Sequence, residues 1–544
     1  MTAEVTAPPK PSTAAEPDPA RAPIPEPNDP VEFLYARRLS FEGGVPLVSV
    51  RIAEGQREIA LVPQGSMHVA PRRGASVDAP AGGEWRIKLL SGAPGVFRAT
   101  ALVEEFRYAD HDGAWAAQRT WTERGYDARL TTVGAAYGIA GRVVDTRRML
   151  IVLRGDGSEA SARALADDAE RRFAVRPEIN REMIQRPSGH LALVSPSGAP
   201  VLEGEDAFTL TIEGDAGARV RQVEFGTGYA FHGFEDRIYA GKLIAVVDAH
   251  GTLALVDALP LERLAAGIVP SEIFATSPAE ALKAQAVTAR GEILAKIGAR
   301  HLGDPYSLCA EQHCQVYKGL ASELPAPSAA VAATRGEALF AKSGRLVDSV
   351  YSAVCGGYTE DNDVVWGGPP DPSLRGKPDF DAHDALADAA GGVNESTLHR
   401  FLASDPGAFC MASGFARPNK FRWERHFSET ELDALVAGLG VGHVIALRVP
   451  RRGLSGRARA LVIEGDKGSA RVGPELPIRR LLKNLNSAMF EVEHPAGEWV
   501  FRGGGWGHGV GMCQTGAIGR ALRGDDYKTI LKYYFSDAQV ARIY

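Results

Sequence analysis

The sequence predicts an α+β protein, with a β-rich N-terminal region that carries a small α/β insert and a mixed α/β C-terminal region. Three observations support this prediction. Short alternating segments bounded by turn residues continue from Val45 to about residue 147, a pattern typical of strands. A strand, an Ala-rich helix and a second strand follow between about residues 146 and 200. Beyond residue 241, helical periodicity alternates with short strands.

The chain divides into three expected segments. Residues 1–32 are predicted to form a disordered tether, because the first 30 residues contain nine prolines and no aromatic side chain that could start a core. Residues 33–240 form the β-rich region, and residues 241–544 form the C-terminal domain. A chain of 544 residues is long enough for two or more such domains.

Composition excludes several classes of protein. The formal net charge of −6 is too small to indicate a nucleic-acid partner. No apolar run approaches the ~20 residues of a membrane span, so no transmembrane segment is expected. The N-terminus shows no basic-then-apolar signal peptide. All five cysteines lie after residue 308, and their odd number excludes complete pairing within the chain.

The most informative segment places one carboxylate before a strongly specified helix. Glu272 is predicted to lie in a Pro-flanked loop that follows a short helix. Ser277 is the expected N-cap of the next helix, and Glu280 would complete a capping box. Lys283 and Arg290 are seven residues apart on that helix, so they share one stripe. A positioned acid in a partly apolar site can act as a proton donor.

A second segment is able to bind a metal. Cys309 and Cys314 are separated by four residues, and two thiolates with a nearby histidine can start a tetrahedral zinc site. His301 is the preferred third ligand, because His313 adjoins Cys314 and adjacent ligands are geometrically awkward. A Cys309–Cys314 disulfide and a pair of buried thiols are open alternatives. A Cys355–Cys410 disulfide would require Cα atoms within ~7 Å.

Several motifs resemble the SpoIID/LytB family, in the order in which that family has them and over about residues 240–544. They are Gly267–Arg290, Tyr306–Gly319, Ala333–Gly336, Tyr351–Glu360 and Gly505–Ala517. The family's sporulation members are lytic transglycosylases of peptidoglycan, and other members enhance cell-wall amidases. The resemblance implies that residues 241–544 form a SpoIID-like catalytic domain with a substrate cleft, in which Glu272 occupies the position of the catalytic acid.

The implied activity is that of a lytic transglycosylase, a carbon–oxygen lyase that cleaves the glycan strands of peptidoglycan, including strands stripped of stem peptides. A single Glu serves as acid and base and leaves 1,6-anhydro-muramic ends, so no second carboxylate is needed, unlike most glycosidases. No cofactor is required. Some family members hold zinc with one His and two Cys, so a structural zinc at His301, Cys309 and Cys314 is compatible with the resemblance.

Two other classes of function remain to be distinguished. One is a non-catalytic peptidoglycan-binding protein that stimulates a cell-wall amidase. The other, a zinc amidase, lacks a convincing set of three ligands around an open site. An extracytoplasmic location, in the periplasm, cell envelope or medium, follows from the resemblance. The insert near residues 146–200 resembles a SPOR domain, which binds bare glycan strands; the alternative is an α/β insert without a ligand.

The resemblance also implies substrate-binding residues. Lys283 and Arg290 would orient Glu272 or bind the lactyl carboxylate of muramic acid, the alternative being a solvated helix face. The other candidates lie in two glycine-rich segments, and they are Tyr351, Ser352, Gly356, Gly357, Glu360, Trp506, His508 and Gln514. Glu360, Asp361 and Asp363 could supply a second carboxylate, but they are interpreted mainly as turn formers or as acceptors for sugar hydroxyl groups.

The second glycine-rich segment can approach a ligand closely with its backbone. Trp506 would stack on a sugar face, and His508 and Gln514 would donate or accept hydrogen bonds; the alternatives are a packing Trp and a buried His. A Cys513–His508 nucleophile pair is disfavoured because no third group orients it. We expect this segment and Glu272 to meet across one cleft, with His508 on the order of 10 Å from Glu272.

Overall fold

The computed structural model describes residues 29–544, apart from residues 37–38, 140, 174, 176, 228–230, 382–388, 390, 405–406, 413 and 416. Residues 1–28, most of the predicted tether, therefore lie outside the described residues. The first helix, α1 (Pro30–Tyr35), begins before the predicted boundary at residue 33. Its N-cap is Asp29, whose carboxylate accepts a hydrogen bond from the Val31 N–H at 2.9 Å.

Strands dominate the described residues up to Pro260, as predicted. They are β1 (Ser40–Glu42), β2 (Val45–Gln56), β3 (Glu58–Pro63), β4 (Met67–Pro71), β5 (Val77–Ala79), β6 (Trp85–Ala93), β7 (Val96–Arg107), β8 (Ala128–Val133), β9 (Ala136–Ile139), β10 (Arg142–Asp145), β11 (Arg148–Leu153), β12 (Glu178–Gln185), β13 (Ser188–Val194), β14 (Pro200–Glu205), β15 (Ala207–Ile212), β16 (Ala218–Phe225), β17 (Gly233–Tyr239), β18 (Lys242–Val247) and β19 (Leu253–Pro260). Two further helices interrupt them, α2 (His111–Glu123) and α3 (Glu159–Phe173).

Two antiparallel sheets form the main β-structure. The first has the order β1-β2-β19-β18-β15-β4-β5, and the second has the order β14-β13-β6-β3-β16-β17. Val50 and Leu255 of the first sheet share one buried cluster with Ile87 and Leu193 of the second, so the inner faces pack together. Strand β19 is buried on both faces, which explains why its sequence is apolar except for the buried Asp257.

The insert is larger than the sequence predicts. Strands β7, β8, β11 and β12 form a four-stranded antiparallel sheet in the order β12-β7-β11-β8, with α2 and α3 as crossovers. This βαββαβ arrangement is ferredoxin-like and extends over Val96–Gln185, so the predicted limits 146–200 are wrong at both ends. Strand β13, expected within the insert, belongs to the second main sheet instead. The hairpin β9–β10 leads back to the core, where the Tyr137 hydroxyl donates to the Leu294 carbonyl at 2.7 Å.

The rest of the chain is mixed α and β. Its helices are α4 (Leu261–Glu272), α5 (Ala279–Lys296), α6 (Pro325–Ala333), α7 (Asn362–Val365), α8 (Glu395–Ala403), α9 (Phe409–Ala412), α10 (Pro418–Phe421), α11 (Glu429–Val436), α12 (Glu475–Leu481), α13 (Gln514–Leu522) and α14 (Tyr527–Tyr534). Its strands are β20 (Leu308–Cys309), β21 (Glu337–Ala341), β22 (Tyr351–Ser352), β23 (Arg422–Ser428), β24 (Val444–Arg448), β25 (Leu461–Gly465), β26 (Gly468–Val472), β27 (Phe490–Glu493), β28 (Glu498–Gly504), β29 (Met512–Cys513) and β30 (Ala538–Arg542).

Helix α5 is the buried centre of this part. Most of its residues from Ala281 to Lys296 are buried, and it packs against α4, α6, α13, α14 and β21. Strand β20 continues the first main sheet by pairing in parallel with β2. Strands β22 and β29 pair in parallel, which brings the two glycine-rich segments together. No helix among the described residues has the length and apolar composition needed to cross a membrane.

Candidate functional site

Glu272 is the last residue of helix α4. The sequence had predicted that it lies in a loop, and this prediction is wrong. The helix continues through Pro270, which has no N–H to donate to the preceding turn. Ile273 is extended, and its N–H closes the helix by donating to the Val269 carbonyl at 3.0 Å. The carboxyl therefore lies at the negative end of the helix dipole, which disfavours its ionised form.

The surroundings of Glu272 favour a protonated carboxyl. Burial raises its pKa to about 7, against the opposing effect of the Val316 N–H, which donates to Oε1 at 2.7 Å. The charge of Glu292 also raises this pKa, while Lys296 and Lys318 lower it. A carboxyl with a pKa near neutrality can give up and recover a proton at physiological pH.

The predicted capping box is wrong. Helix α5 begins at Ala279, with Pro278 in an extended conformation at the N-cap position. This places Ser277 one residue too early to cap the helix, and its buried Oγ has no hydrogen-bond partner among the described residues. The Glu280 carboxylate instead accepts from Lys283 Nζ at 2.7 Å and from the Tyr527 N–H at 2.9 Å.

The two cations of α5 do not meet at the site. Arg290 is fully buried, and its guanidinium donates to both carboxylate oxygens of Glu262, at 2.9 and 2.8 Å, and to the Val331 carbonyl at 2.7 Å. This bidentate pair joins α4 to α5, so the expectation that Arg290 binds substrate is wrong. Lys283 is paired with Glu280 and lies over the Tyr527 ring.

A cleft of about 480 Å³ opens beside Glu272. One wall is the end of α4 and the following loop, and another is formed by Ala353 and Val354. The remaining lining residues are Phe415, Arg417, Lys420, Gln514, Thr515 and Ile518. Glu272 is the one carboxylate among the lining residues that the structure describes. The Phe274 and Phe415 rings lie 5.5 Å apart at this cleft, and Phe274 is half exposed.

The C-terminal glycine-rich segment reaches the cleft through its last residues. Gln514 Nε2 donates to the backbone carbonyl of Glu272 at 2.9 Å and to Gln285 Oε1 at 3.2 Å. The structure thus brings together two segments that are more than 200 residues apart, because β29 pairs with β22 and directs α13 toward α4.

His508 and Trp506 are outside the cleft lining that the described residues form. The Val510 N–H donates to His508 Nδ1 at 3.0 Å, so Nε2 carries the proton and donates to the Tyr351 carbonyl at 2.9 Å. Burial, followed by the charge of Arg457, lowers the pKa of His508 to about 3. The expected sugar contact of His508 is therefore replaced by a structural role. The centroid of the Trp506 ring lies 4.7 Å from Nζ of Lys420, and Lys420 lines the cleft.

The other candidates of the Tyr351–Glu360 segment mainly organise the backbone. The Tyr351 hydroxyl donates to Gln315 Oε1 at 2.9 Å, and Ser352 is buried. Gly356 has φ +80°, and a Cβ there would lie 2.7 Å from the Gly505 nitrogen, so glycine is required where the two segments cross. Gly357, with φ +99°, completes the turn.

Glu360 is a further correction, because it is wrapped by protein rather than open to a ligand. Its carboxylate accepts from the N–H groups of Leu454 and Ser455, at 3.1 and 3.2 Å, and from the Ser455 hydroxyl at 2.6 Å. Burial raises its pKa, in opposition to the hydrogen bond from Ser455. Asp361 also has a structural role, since its Oδ1 accepts from the Gly376 N–H at 2.7 Å.

Four metal-competent side chains converge near Glu272. The ligand atoms of His301, Cys309, His313 and Cys314 all lie within 4.8 Å of one another. His301 Nε2 is 3.3 Å from Cys314 Sγ, and His313 Nδ1 is 3.6 and 3.7 Å from the Cys309 and Cys314 sulfurs. Zinc bonds of ~2.3 Å to sulfur and ~2.0 Å to nitrogen give tetrahedral edges of about 3.5 Å, so these residues fit zinc.

The structure places His313 in the cluster together with His301, the histidine that the sequence analysis preferred. His313 presents Nδ1, the ring nitrogen nearer its own backbone, so it can turn toward the sulfur of the adjacent Cys314. The other ring nitrogen of His301, Nδ1, lies 2.9 Å from Asp304 Oδ2, the kind of outer contact that orients a metal-binding histidine. The structure has no disulfide at Cys309, Cys314 or the other described cysteines.

Phe415, Arg417 and Lys420 are the site residues that sequence reasoning missed. They carry no local pattern of chemistry, since they are an aromatic and two cations in and just before the four-residue helix α10. No signal in the sequence alone indicates them, because their approach to Glu272 depends on tertiary packing. Burial, followed by the charge of Arg417, lowers the pKa of Lys420.

Comparison with known proteins assigns two regions of the chain. Residues 249–340 match the family model of SpoIID, described as stage II sporulation protein, and residues 360–511 match DUF8618, a domain of unknown function. The resemblance predicted from the motifs is thereby confirmed. Glu272 lies in the first region, whereas Phe415, Arg417 and Lys420 lie in the second, so the cleft is formed by both.

Curated relatives match at low identity. An uncharacterized protein of Brachyspira hyodysenteriae is 27% identical over 343 residues, which cover 61% of this chain and 81% of the relative. An amidase enhancer of Bacillus subtilis is 27% identical, over 49% of this chain but only 39% of its own length. A stage II sporulation protein D of Bacillus amyloliquefaciens is 27% identical, over 53% of this chain and 75% of its own.

The raised pKa of Glu272 predicts a pH-dependent effect of Glu272→Gln on stability. The folded protein binds this proton more tightly than the unfolded chain, so the group's stabilising contribution is complete below about pH 4.5 and is lost as pH rises through 7. Gln keeps the acceptor for Val316 but does not ionise. Denaturant unfolding should show the variant more stable than wild type by on the order of 1–3 kcal/mol at pH 8, with little difference at pH 5.

A matched control for this experiment is Glu280→Gln. The pKa of Glu280 is lowered, because burial, which would raise it, is outweighed by the hydrogen bonds from Lys283 and the Tyr527 N–H. This variant should lose stability at pH 8. A Glu272→Gln effect that is independent of pH would contradict the buried, protonated carboxyl.

The buried pair of Arg290 and Glu262 predicts a large loss of stability for Arg290→Met. The substitution leaves the Glu262 carboxylate buried without its main partner, which typically costs about 3–5 kcal/mol. Lys283→Met removes a partly exposed pair on the same helix and should cost less than about 1 kcal/mol. Denaturant unfolding of both variants checks this, and similar losses would show that the Arg290 pair is not a special constraint.

Proposed function

We propose that this protein is a lytic transglycosylase that cleaves the glycan strands of peptidoglycan, with Glu272 as its single acid and base. The observation that carries the proposal is the protonatable carboxyl of Glu272 at a cleft with no second carboxylate among its described lining residues. The SpoIID match over residues 249–340 and the relatives named stage II sporulation protein D and amidase enhancer support a function related to the cell wall. The family resemblance of the motifs implies glycan strands as the class of substrate. Action on the cell wall implies an extracytoplasmic location.

The proposed reaction needs one proton donor that recovers its proton. The Glu272 carboxyl protonates the bridging oxygen, and the bond from that oxygen to C1 of muramic acid breaks. The resulting carboxylate then takes the proton of the C6 hydroxyl, whose oxygen bonds to C1 and closes the 1,6-anhydro ring. Val316 N–H stabilises the carboxylate between the two transfers. No activated water is required, so one acid suffices.

The cleft offers contacts for a sugar on both sides of Glu272. The exposed Phe274 ring and the neighbouring Phe415 ring provide an apolar platform for a pyranose face. Arg417 and Lys420 lie in the same lining and can pair with the lactyl carboxylate of muramic acid. These cations take the role that the sequence assigned to Lys283 and Arg290.

We also propose that His301, Cys309, His313 and Cys314 hold a structural zinc ion. The ion would fix the segment that leads from Cys314 to Val316, whose N–H contacts Glu272. Zinc supplies no step of the reaction here, because four protein ligands leave no open position for substrate. The same closed ligand set argues against the zinc-amidase alternative.

The second candidate function is a non-catalytic enhancer of a cell-wall amidase. It is favoured by the relative named amidase enhancer, although the match covers about two fifths of that protein. A protein of this class would raise the rate of a purified amidase on peptidoglycan, and Glu272→Gln would leave that effect unchanged.

Glu272→Gln should abolish glycan cleavage while the fold is retained. Gln has the same shape but cannot transfer a proton, a step that typically contributes ~10²–10⁴-fold. The measurement is the rate of release of soluble fragments from denuded glycan strands, with Glu280→Gln as the control expected to stay within a few-fold of wild type. In the wild type, kcat/KM should fall as pH rises above about 7, because the acid form of Glu272 is lost. Cleavage by the Gln variant at a near wild-type rate would refute the assignment.

Cys309→Ser should remove the metal of the His301 cluster and lower the melting temperature, because a structural zinc contributes folding energy. Elemental analysis of the purified variant should find one zinc per chain fewer than in wild type. A metal-free wild-type protein with a Cys309–Cys314 disulfide, identified by peptide mass, would rule the site out.

A further inference from the structure

Four buried side chains outside the proposed active site converge on one point. They are Cys355, which follows β22, Asp379, which lies in an irregular segment, Cys410 in α9, and Cys513 at the end of β29. Their ligand atoms all lie within 4.8 Å of one another, and all four residues are buried. The four residues come from segments that are far apart in sequence, so no local turn explains their meeting.

The distances within this cluster fit a tetrahedral metal site. Cys355 Sγ is 3.8 Å from Cys410 Sγ and 3.2 Å from Asp379 Oδ2. Zinc bonded at ~2.3 Å to sulfur places two ligand sulfurs about 3.8 Å apart, and a sulfur and a carboxylate oxygen about 3.5 Å apart. A disulfide between Cys355 and Cys410 would bring their sulfurs to ~2.05 Å, which is far shorter than the observed separation.

The groups around the cluster resemble the outer contacts of a metal site. Cys513 Sγ accepts hydrogen bonds from the N–H groups of Cys355 and Gly516, at 3.1 and 3.3 Å, at the N-terminus of α13. Asp379 Oδ1 accepts from the Tyr534 hydroxyl at 2.7 Å, which leaves Oδ2 directed at the thiols. Backbone donors to a thiolate and a hydroxyl holding the outer oxygen of a carboxylate are contacts that orient metal ligands.

Asp379 gives the second argument for a metal. Its side chain is fully buried, yet the atom that faces the cluster meets sulfur groups, which are weak donors. A buried carboxylate is retained where it is paired or binds a metal. The cation nearest to it in the described structure, Arg520, lies 3.8 Å from the other oxygen, Oδ1.

We propose that Cys355, Asp379, Cys410 and Cys513 bind a zinc ion in a structural site distinct from the His301 cluster. Three thiolates and one carboxylate form a closed tetrahedral set of the kind that zinc prefers over harder divalent ions. Binding releases the thiol protons and involves no change of oxidation state. Arg520 and the N-terminal N–H groups of α13 offset the negative charge that remains on the complex.

This site has a consequence for the cleft beside Glu272. Cys355 directly follows Ala353 and Val354, and Cys513 directly precedes Gln514 and Thr515, which all line the cleft. An ion bound to both cysteines fixes the two cleft walls relative to each other. The site therefore acts on the position of the walls and has no contact with a substrate.

The test is the metal content of full-length protein purified under reducing conditions. Wild type should hold about two zinc ions per chain, and Cys309→Ser/Cys314→Ser, which removes the His301 cluster, should keep about one. Adding Cys410→Ser or Asp379→Asn to that double variant should reduce zinc to near zero, whereas adding Asp379→Cys should retain it. Cobalt in place of zinc should give the visible bands of a tetrahedral thiolate site in the double variant.

Two outcomes in solution would overturn the proposal. One is a folded double variant, by circular dichroism, with less than about a tenth of an equivalent of zinc and no cobalt bands. The other is a Cys355–Cys410 disulfide in the intact mass of the wild type. If the double variant does not fold, anomalous diffraction of wild-type crystals at the zinc edge decides: a peak between the four side chains supports the site, and none there refutes it. Neither readout depends on glycan cleavage, so the result is independent of the proposed enzymatic function.

Discussion

The hydrogen bond from the Val316 N–H to Glu272 Oε1, 2.7 Å long in a mostly buried site, is the constraint on which the candidate site depends. Burial and the C-terminal end of α4 destabilise the ionised carboxyl, while this single donor keeps ionisation within reach, and the resulting pKa is about 7. More donors would lower the pKa below the useful range for an acid. Without the donor, the carboxylate formed by proton transfer would lose its hydrogen bond from the described part of the chain.

The position of Val316 is in turn fixed by its neighbours. Gln315 Nε2 donates to the Ala289 carbonyl of α5 at 3.1 Å, and its Oε1 accepts from the Tyr351 hydroxyl. Lys296 Nζ donates to the Cys314 carbonyl at 2.8 Å, and Cys314 belongs to the His301 cluster. Helix α5 thus carries buried polar side chains because it connects the acid, the metal-competent cluster and the glycine-rich segments. Its lack of a single apolar stripe follows from being surrounded on all sides.

The parts of the fold and site that could be predicted from the sequence are those with local patterns. The β-rich region, helix α5 and the ligand types around Cys309 all have short-range signals. The insert was predicted only in part because β7 pairs with β11 and β12, strands that lie about 40 or more residues further along the chain, and local patterns do not reveal such pairing. The cap at Ser277 failed because the backbone conformation of Pro278 shifted the helix start. Phe415 and Lys420 could not be found, since their approach to Glu272 depends on packing between residues more than 100 positions apart.

The central claim, that one buried Glu suffices for strand cleavage without activated water, is tested most directly by the mass of the soluble products. Purified wild-type protein incubated with denuded glycan strands should release fragments that end in 1,6-anhydro-muramic acid, one water lighter than hydrolysis products and resistant to borohydride reduction. Fragments with reducible ends would contradict the account, because they would show that water attacks C1. Release of no fragments at all by folded protein would contradict it equally.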